Sequence, residues 1–157
     1  MVNTTPVVET IRVRYGETDA MGHAYYGNYL FWFEQARGAW CRSRGFHYRQ
    51  LETMGIFLPV AEVHVRYKAE IKYDEEIQVK VWMSETRRAS MKFEYQIFRE
   101  DGALATEGYS WHVTMSTARK AVSIPAPVLE YLSREPLGFE AYQTKDATEA
   151  VSAGAES

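Results

Sequence analysis

Cysteine is nearly absent: Cys41 stands alone among 157 residues, which excludes an intrachain disulfide. No reactive motif surrounds it, and its place within a helical pattern reads as a buried structural thiol. Long apolar runs are missing as well, since no stretch approaches the ~20 residues of a membrane span. The opening MVNTTPVVET lacks the basic start and apolar run of a signal peptide, so a cytoplasmic protein without a membrane partner is expected. Four histidines, His23, His47, His64 and His112, show no paired metal-ligand spacing, and no metal is expected. Strong charge of one sign is also lacking. The formal net charge is −3, and residues 140–157 hold Glu140, Asp146, Glu149 and Glu156 against Lys145 alone. Taking those four acids from 21 and that base from 18 leaves the body formally neutral, which argues against a nucleic acid partner.

What is present is an ordinary globular balance, 46% hydrophobic and 25% charged, with a generous 14% aromatic share. One folded domain over residues 1–139 is expected, followed by an acidic tail over 140–157 with too few large apolar groups to fold. Residues 7–15 alternate apolar and polar side chains as a strand does. Gly16-Glu17-Thr18-Asp19-Ala20-Met21-Gly22-His23 reads as a polar loop, and residues 27–45 as a helix of about four turns closed by Gly45. Five consecutive apolar residues, Tyr29 to Phe33, predict a helix enclosed on several sides. A helical turn is expected at 48–54, then strands at 60–67, 76–83, 91–98 and 103–115, and a short helix at 128–133. Connections fall at 72–75, 84–89 and 99–102, the last with an Asp-Gly hairpin signal. The class is α+β, an antiparallel sheet with a long helix packed on it.

The run from Arg14 to Leu30 resembles the signature of the 4-hydroxybenzoyl-CoA thioesterase family. It has an acid, Glu17, two residues before Asp19, then Gly22 three beyond, an aromatic pair, and Asn28-Tyr29 opening the helix. A weaker likeness at 119–125 looks like the family's closing strand, so the resemblance spans about 7–135. It implies the hot-dog fold, a curved antiparallel sheet around a central helix, assembled as a homodimer or homotetramer with interfacial active sites. It also implies acyl-CoA or an acyl carrier protein as partner, with coenzyme A entering as part of the substrate and no separate cofactor.

Thioester hydrolysis needs a base or nucleophile, positive potential for the oxyanion, and a grip on the carrier. By resemblance Asp19 is the catalytic carboxylate, acting through an acyl anhydride or through water; an Asx turn is the structural reading of the same residue. The Tyr26 amide is the expected oxyanion donor, because the first amides of a helix lack intrahelical acceptors. Gly27 would let a ligand approach the chain. Asn28 is either the N-cap or a substrate contact. His23 would tune Asp19, touch the acyl group or face solvent. Glu17 reads as a structural or tuning partner. Glu34 is a second candidate carboxylate, with an ion pair to Arg37 as its plain alternative. For the phosphates of coenzyme A the candidates are Tyr67 and Lys68, together with Arg87, Arg88, Ser90 and Lys92, against a solvated basic turn. A hydratase or dehydratase using His23 and an acid, or a non-catalytic acyl-binding module, are the competing functions.

Overall fold

The computed structural model describes residues 2–137. Strand β1 (Val7–Arg12) pairs with β4 (Glu76–Arg87), β4 with β5 (Ser90–Phe98), β5 with β6 (Leu104–Val113), and β6 with β3 (Val60–Tyr67). Every neighbouring pair is antiparallel, so two hairpins and two long connections, β1 to β3 and β3 to β4, build the sheet in the order β1-β4-β5-β6-β3. Ile77, Val79, Val81 and Met83 of β4 and Met91, Phe93, Tyr95 and Ile97 of β5 all point to one buried face. Helix α1 (Asn28–Ser43) lies on that face and inserts Trp32, Phe33, Ala36 and Trp40 among them. Burying each of these large side chains contributes roughly 1.5–3 kcal/mol, and this packing is what holds the helix start at a fixed place over the sheet. Cys41 is buried there as expected, and burial pushes its thiol up to about 12.

The sheet makes room for the helix at Gly108. A Cβ there would strike the His64 carbonyl and lie 3.1 Å from the Phe33 ring, which stacks on Tyr95 at 4.1 Å between centroids. The remaining elements are peripheral. Helix α2 (Tyr48–Thr53) follows α1, β2 (Ile56–Phe57) pairs with β7 (Met115–Ser116), and α3 (Ala126–Ser133) closes the described chain.

Several extents differ from expectation. Strand β1 ends at Arg12 rather than Tyr15, because Tyr15–Glu17 turns into a 3-10 helix. Strand β4 runs on to Arg87, past the connection expected from residue 84; a bulge between Met83 and Glu85 interrupts the alternation there. The stretch 119–125 forms no closing strand. It turns back at Arg119 (φ 59°) and contributes the single bridge of Ala121 to Met115. Helix α1 is covered on several sides, as expected, through Tyr29, Trp32 and Phe33, but one side stays open, where Leu30 is 43% and Phe31 66% exposed. They face the side of β3, an edge strand with no further neighbour among the described residues. The expected tail, 140–157, lies outside the described residues, and among those described no helix is long and apolar enough to cross a membrane.

Candidate active site

The loop between β1 and α1 is tied at both ends by its own backbone. Asp19 N–H donates to the His23 carbonyl at 2.8 Å and Gly22 N–H to the Asp19 carbonyl at 3.0 Å, closing a turn that places Gly22 at φ +76°. Asp19 Oδ1 accepts from the amides of Met21 (2.8 Å) and His23 (3.1 Å), so the carboxylate does form an Asx turn. Its Oδ2 has no partner among the described residues, and the side chain is exposed. One oxygen orients the group and the other faces outward.

Glu17 anchors this loop to the helix. It is 8% exposed; Oε1 accepts from the Arg14 amide at 2.8 Å and Oε2 from Trp32 Nε1 at 2.8 Å, while its carbonyl accepts from Tyr25 N–H and Asn28 Nδ2. The structural role expected of Glu17 is thus what it performs. Asn28 is not the N-cap: that position is Gly27, already helical at φ −68°, ψ −23°, and the Asn28 amide reaches back to the Glu17 carbonyl at 2.7 Å. Gly27 makes room for the chain's own Tyr25 ring, which would lie 3.1 Å from an added Cβ.

Neither Tyr26 N–H nor Gly27 N–H has an acceptor among the described residues. Both are nonetheless held in orientation through the planar peptide units to which they belong. The Tyr25 carbonyl, on the peptide carrying Tyr26 N–H, accepts from Asn28 N–H at 3.0 Å. The Tyr26 carbonyl, on the peptide carrying Gly27 N–H, accepts from Tyr67 Oη at 2.8 Å. Two oriented, unpartnered amides at a helix start form a place for a developing negative charge.

Beside them a groove of about 340 Å³ runs between α1 and β3, walled by Leu30, Phe31, Val60 and Val63 and reaching Arg37 and Ser110. Its lining is mostly apolar with a few convergent polar groups, the usual make-up of a small-molecule site. Glu34 lines it and has no ion-pair partner among the described residues. The expected Glu34–Arg37 pair is absent among the described residues because Arg37 turns inward, donating to Tyr48 Oη (2.8 Å) and Tyr95 Oη (3.0 Å).

The sequence profile of the thioesterase-like superfamily matches residues 13–132, which contain the loop, the groove and nearly all of the core. The chain belongs to that superfamily. An Aquifex aeolicus protein with a provisional esterase assignment is 36% identical over 127 residues, 81% of this chain and 98% of the relative. Bacillus subtilis YneP, provisionally an acyl-CoA thioesterase, is 35% identical over 66% of this chain and 75% of its own. The solved structure of the DHNA-CoA thioesterase of Staphylococcus aureus superposes with a TM-score of 0.76 at 33% identity, covering 94% of this chain and 95% of that one. The fold is the hot-dog fold, and the chain is a thioester hydrolase.

Within this thioesterase-like chain, the other expected residues divide into two groups. Tyr67 joins the site through its bond to Tyr26, although as a support of the backbone rather than a free ligand group. Lys68 pairs with Glu107 at 3.1 Å. Arg87, Arg88, Ser90 and Lys92 lie at the other end of the sheet, since β4 leaves the loop end at Glu76 and reaches Arg87 roughly 30 Å farther on. There Arg87 bonds Glu85 and stacks 4.3 Å over Trp111, Arg88 bonds Ser123 Oγ, and Lys92 sits 4.6 Å over Tyr109. No single chain brings this group to Asp19. His23 neither touches the Asp19 carboxylate by its ring nor faces the groove; its Nε2 lies 2.9 Å from Glu70, stitching the loop to residues 70–73. Among the described residues no cluster of His, Cys, Asp and Glu is disposed to hold a metal.

Sequence reasoning missed the buried chain of Tyr48, Arg37, Tyr95, Ser110 and His112. Ser110 and His112 alternate with the large Tyr109 and Trp111, which drew attention to the outer row of β6 rather than to the small polar row facing the helix.

Proposed function

We propose that this enzyme hydrolyses acyl-CoA thioesters, with Asp19 as nucleophile or general base and the amides of Tyr26 and Gly27 as oxyanion donors. The observation that carries the reading is the coincidence, in one loop, of the outward Asp19 Oδ2 and two oriented, unpartnered amides. The names of YneP and of the Staphylococcus aureus enzyme support CoA as the carrier.

The thioester carbonyl oxygen sits against the two amides, and the acyl chain lies in the groove beyond Gly27. In the water route Asp19 takes a proton from water, whose oxygen forms a bond to the carbonyl carbon as the carbonyl becomes an oxyanion. The oxyanion then collapses, the C–S bond breaks, and the proton held by Asp19 passes to the departing thiolate. In the anhydride route Asp19 Oδ2 forms that bond itself, the thiolate leaves, and water then cleaves the anhydride to regenerate the carboxylate. Both routes use the same oxygen and the same amides. A hydratase needs a histidine placed to move a proton on the acyl chain, and His23 is not among the residues lining the groove.

The site is completed by a second copy. Edge strand β3 leaves one side of its ladder open, with Val60 51% and Val63 43% exposed. Antiparallel pairing of β3 with its copy brings the Tyr67 end of one chain to the Val60 end of the other. Val60 pairs beside His112, and Ser90 pairs with Val113. Arg88 and Arg87 of the partner subunit then come within three to four strand spacings, about 14–19 Å, of Tyr67, a span suited to the phosphates of coenzyme A.

Release of free thiol from short, long and aromatic acyl-CoAs tests the chemistry. Turnover by the wild type that falls at least 100-fold in a folded Asp19→Asn variant is expected, by analogy with the loss of other essential groups. Equal turnover in both proteins would remove Asp19 from the mechanism and turn attention to Glu34.

A further inference from the structure

Arg37 takes no part in the chemistry just described, yet its side chain is mostly buried and reaches the groove. No carboxylate lies within ion-pair distance of it among the described residues. Nε and Nη1 are used on Tyr48 and Tyr95; Nη2 has no partner and is not sealed from solvent. The groups that face it are neutral, and their donors run in one direction. The Leu58 carbonyl accepts from His112 Nδ1 (3.3 Å), so Nε2 of that ring accepts from Ser110 Oγ (2.8 Å). Ser110 in turn accepts from Tyr95 Oη (2.7 Å), and Tyr95 from Arg37. A guanidinium fixed in this way keeps its charge and presents its remaining edge to the groove, with its desolvation uncompensated by any internal anion.

The groove's opposite end is Gly27, beside the oxyanion amides. Ten residues of helix separate Gly27 from Arg37, about 15 Å, and side chains lean back toward the helix start, which shortens the gap. Between the two ends the walls are apolar apart from Glu34: Leu30, Phe31, Phe33, Val60 and Val63. An acyl group matching this surface has a hydrocarbon middle and an anion at its far end.

We propose that Arg37 reads a terminal carboxylate on the acyl chain, making the preferred substrates CoA monothioesters of dicarboxylic acids. This rests on the thioesterase reading and deepens it. Arginine binds a carboxylate through forked donors, and an anion arriving there supplies the counter-charge that the chain itself withholds. Glu34, on the exposed side of the same groove, repels that carboxylate and weakens the preference without removing it.

The test compares kcat/KM for methyl-terminated and carboxyl-terminated acyl-CoAs of matched length, in the wild type and in the Arg37→Met, Arg37→Lys and Glu34→Gln variants. The wild type is expected to favour the carboxylated series at least tenfold at its best length. Arg37→Met brings that ratio near one, Arg37→Lys keeps part of it, and Glu34→Gln raises it. Inhibition of the wild type by free dicarboxylates of the same lengths gives a readout that needs no variant to fold, and inhibition exceeding that by monocarboxylates is expected. Hydrolysis of methyl-terminated chains with no gain from the terminal carboxylate overturns this inference alone, as does a preference that survives Arg37→Met. Hydrolysis of neither series overturns it together with the reading on which it rests.

Discussion

Tyr67 supports the proposed oxyanion site at one remove. Burial first, and neighbouring Tyr26 second, push its phenol up, so it remains a donor to the Tyr26 carbonyl. That carbonyl and Gly27 N–H share one rigid peptide, so the bond sets where the amide points. Tyr67→Phe should lower kcat by about tenfold with KM little changed, a smaller loss than the 10²–10³ that follows deletion of a donor itself. Steady-state kinetics decide it, and a rise in KM alone would make Tyr67 a substrate contact. His112 carries a second prediction at this scale. Burial, and then the charge of Arg37, lower its ring to about 4 from an ordinary 6.5. The unfolded chain therefore binds the extra proton first, and stability present above pH 6.5 is lost as pH falls toward 4, by about 3 kcal/mol in all. Urea unfolding at pH 7, 6 and 5 should show this decline, and His112→Gln should flatten its slope whatever it does to the absolute stability.

Among the elements, those with regular alternation were legible from sequence: β4 through Ile77, Val79 and Val81, and β5 from Met91 to Ile97. The far end of β4 was not, because a bulge at Ser84 breaks the period on which such a reading depends. The loop and helix start were legible through Asp19, Gly22 and the Asn28-Tyr29 pair, since their chemistry is local. Arg37 was misjudged because i,i+3 spacing to Glu34 predicts a surface pair, whereas the acceptors that turn it inward, Tyr48 and Tyr95, stand 11 and 58 positions later. Gly108 tests the packing of β6 against α1. Gly108→Ala puts a methyl against the His64 carbonyl and the Phe33 ring, in a place where neither backbone nor stacked ring yields cheaply. Destabilisation of about 1–3 kcal/mol is expected, the usual range for overpacking, and a denaturation midpoint unchanged from wild type would show that the helix can shift.

At the scale of the whole molecule, one chain places the two groups of the proposed site at opposite ends of its sheet: Asp19, Tyr26 and Gly27 at one, Arg87, Arg88 and Ser90 at the other. If two copies join along β3, each site takes its carboxylate from one chain and its phosphate grip from the other. An Asp19→Asn chain and an Arg87→Glu/Arg88→Glu chain are then each inactive at low CoA-ester concentration, for different reasons. Mixed and allowed to exchange, they form heterodimers in which one site receives intact Asp19 from the second chain and an intact hairpin from the first. Activity should recover to about a quarter of the wild-type level, because half the dimers of a twofold assembly are mixed and each has one good site in two. Sedimentation should show a dimer throughout. A dimer without recovery would mean that both halves of the site come from the same chain, or that the 87–90 hairpin does not bind the carrier, and the two are separated by whether the double arginine variant alone raises KM. A monomer that still hydrolyses acyl-CoA would remove the β3 interface from the mechanism.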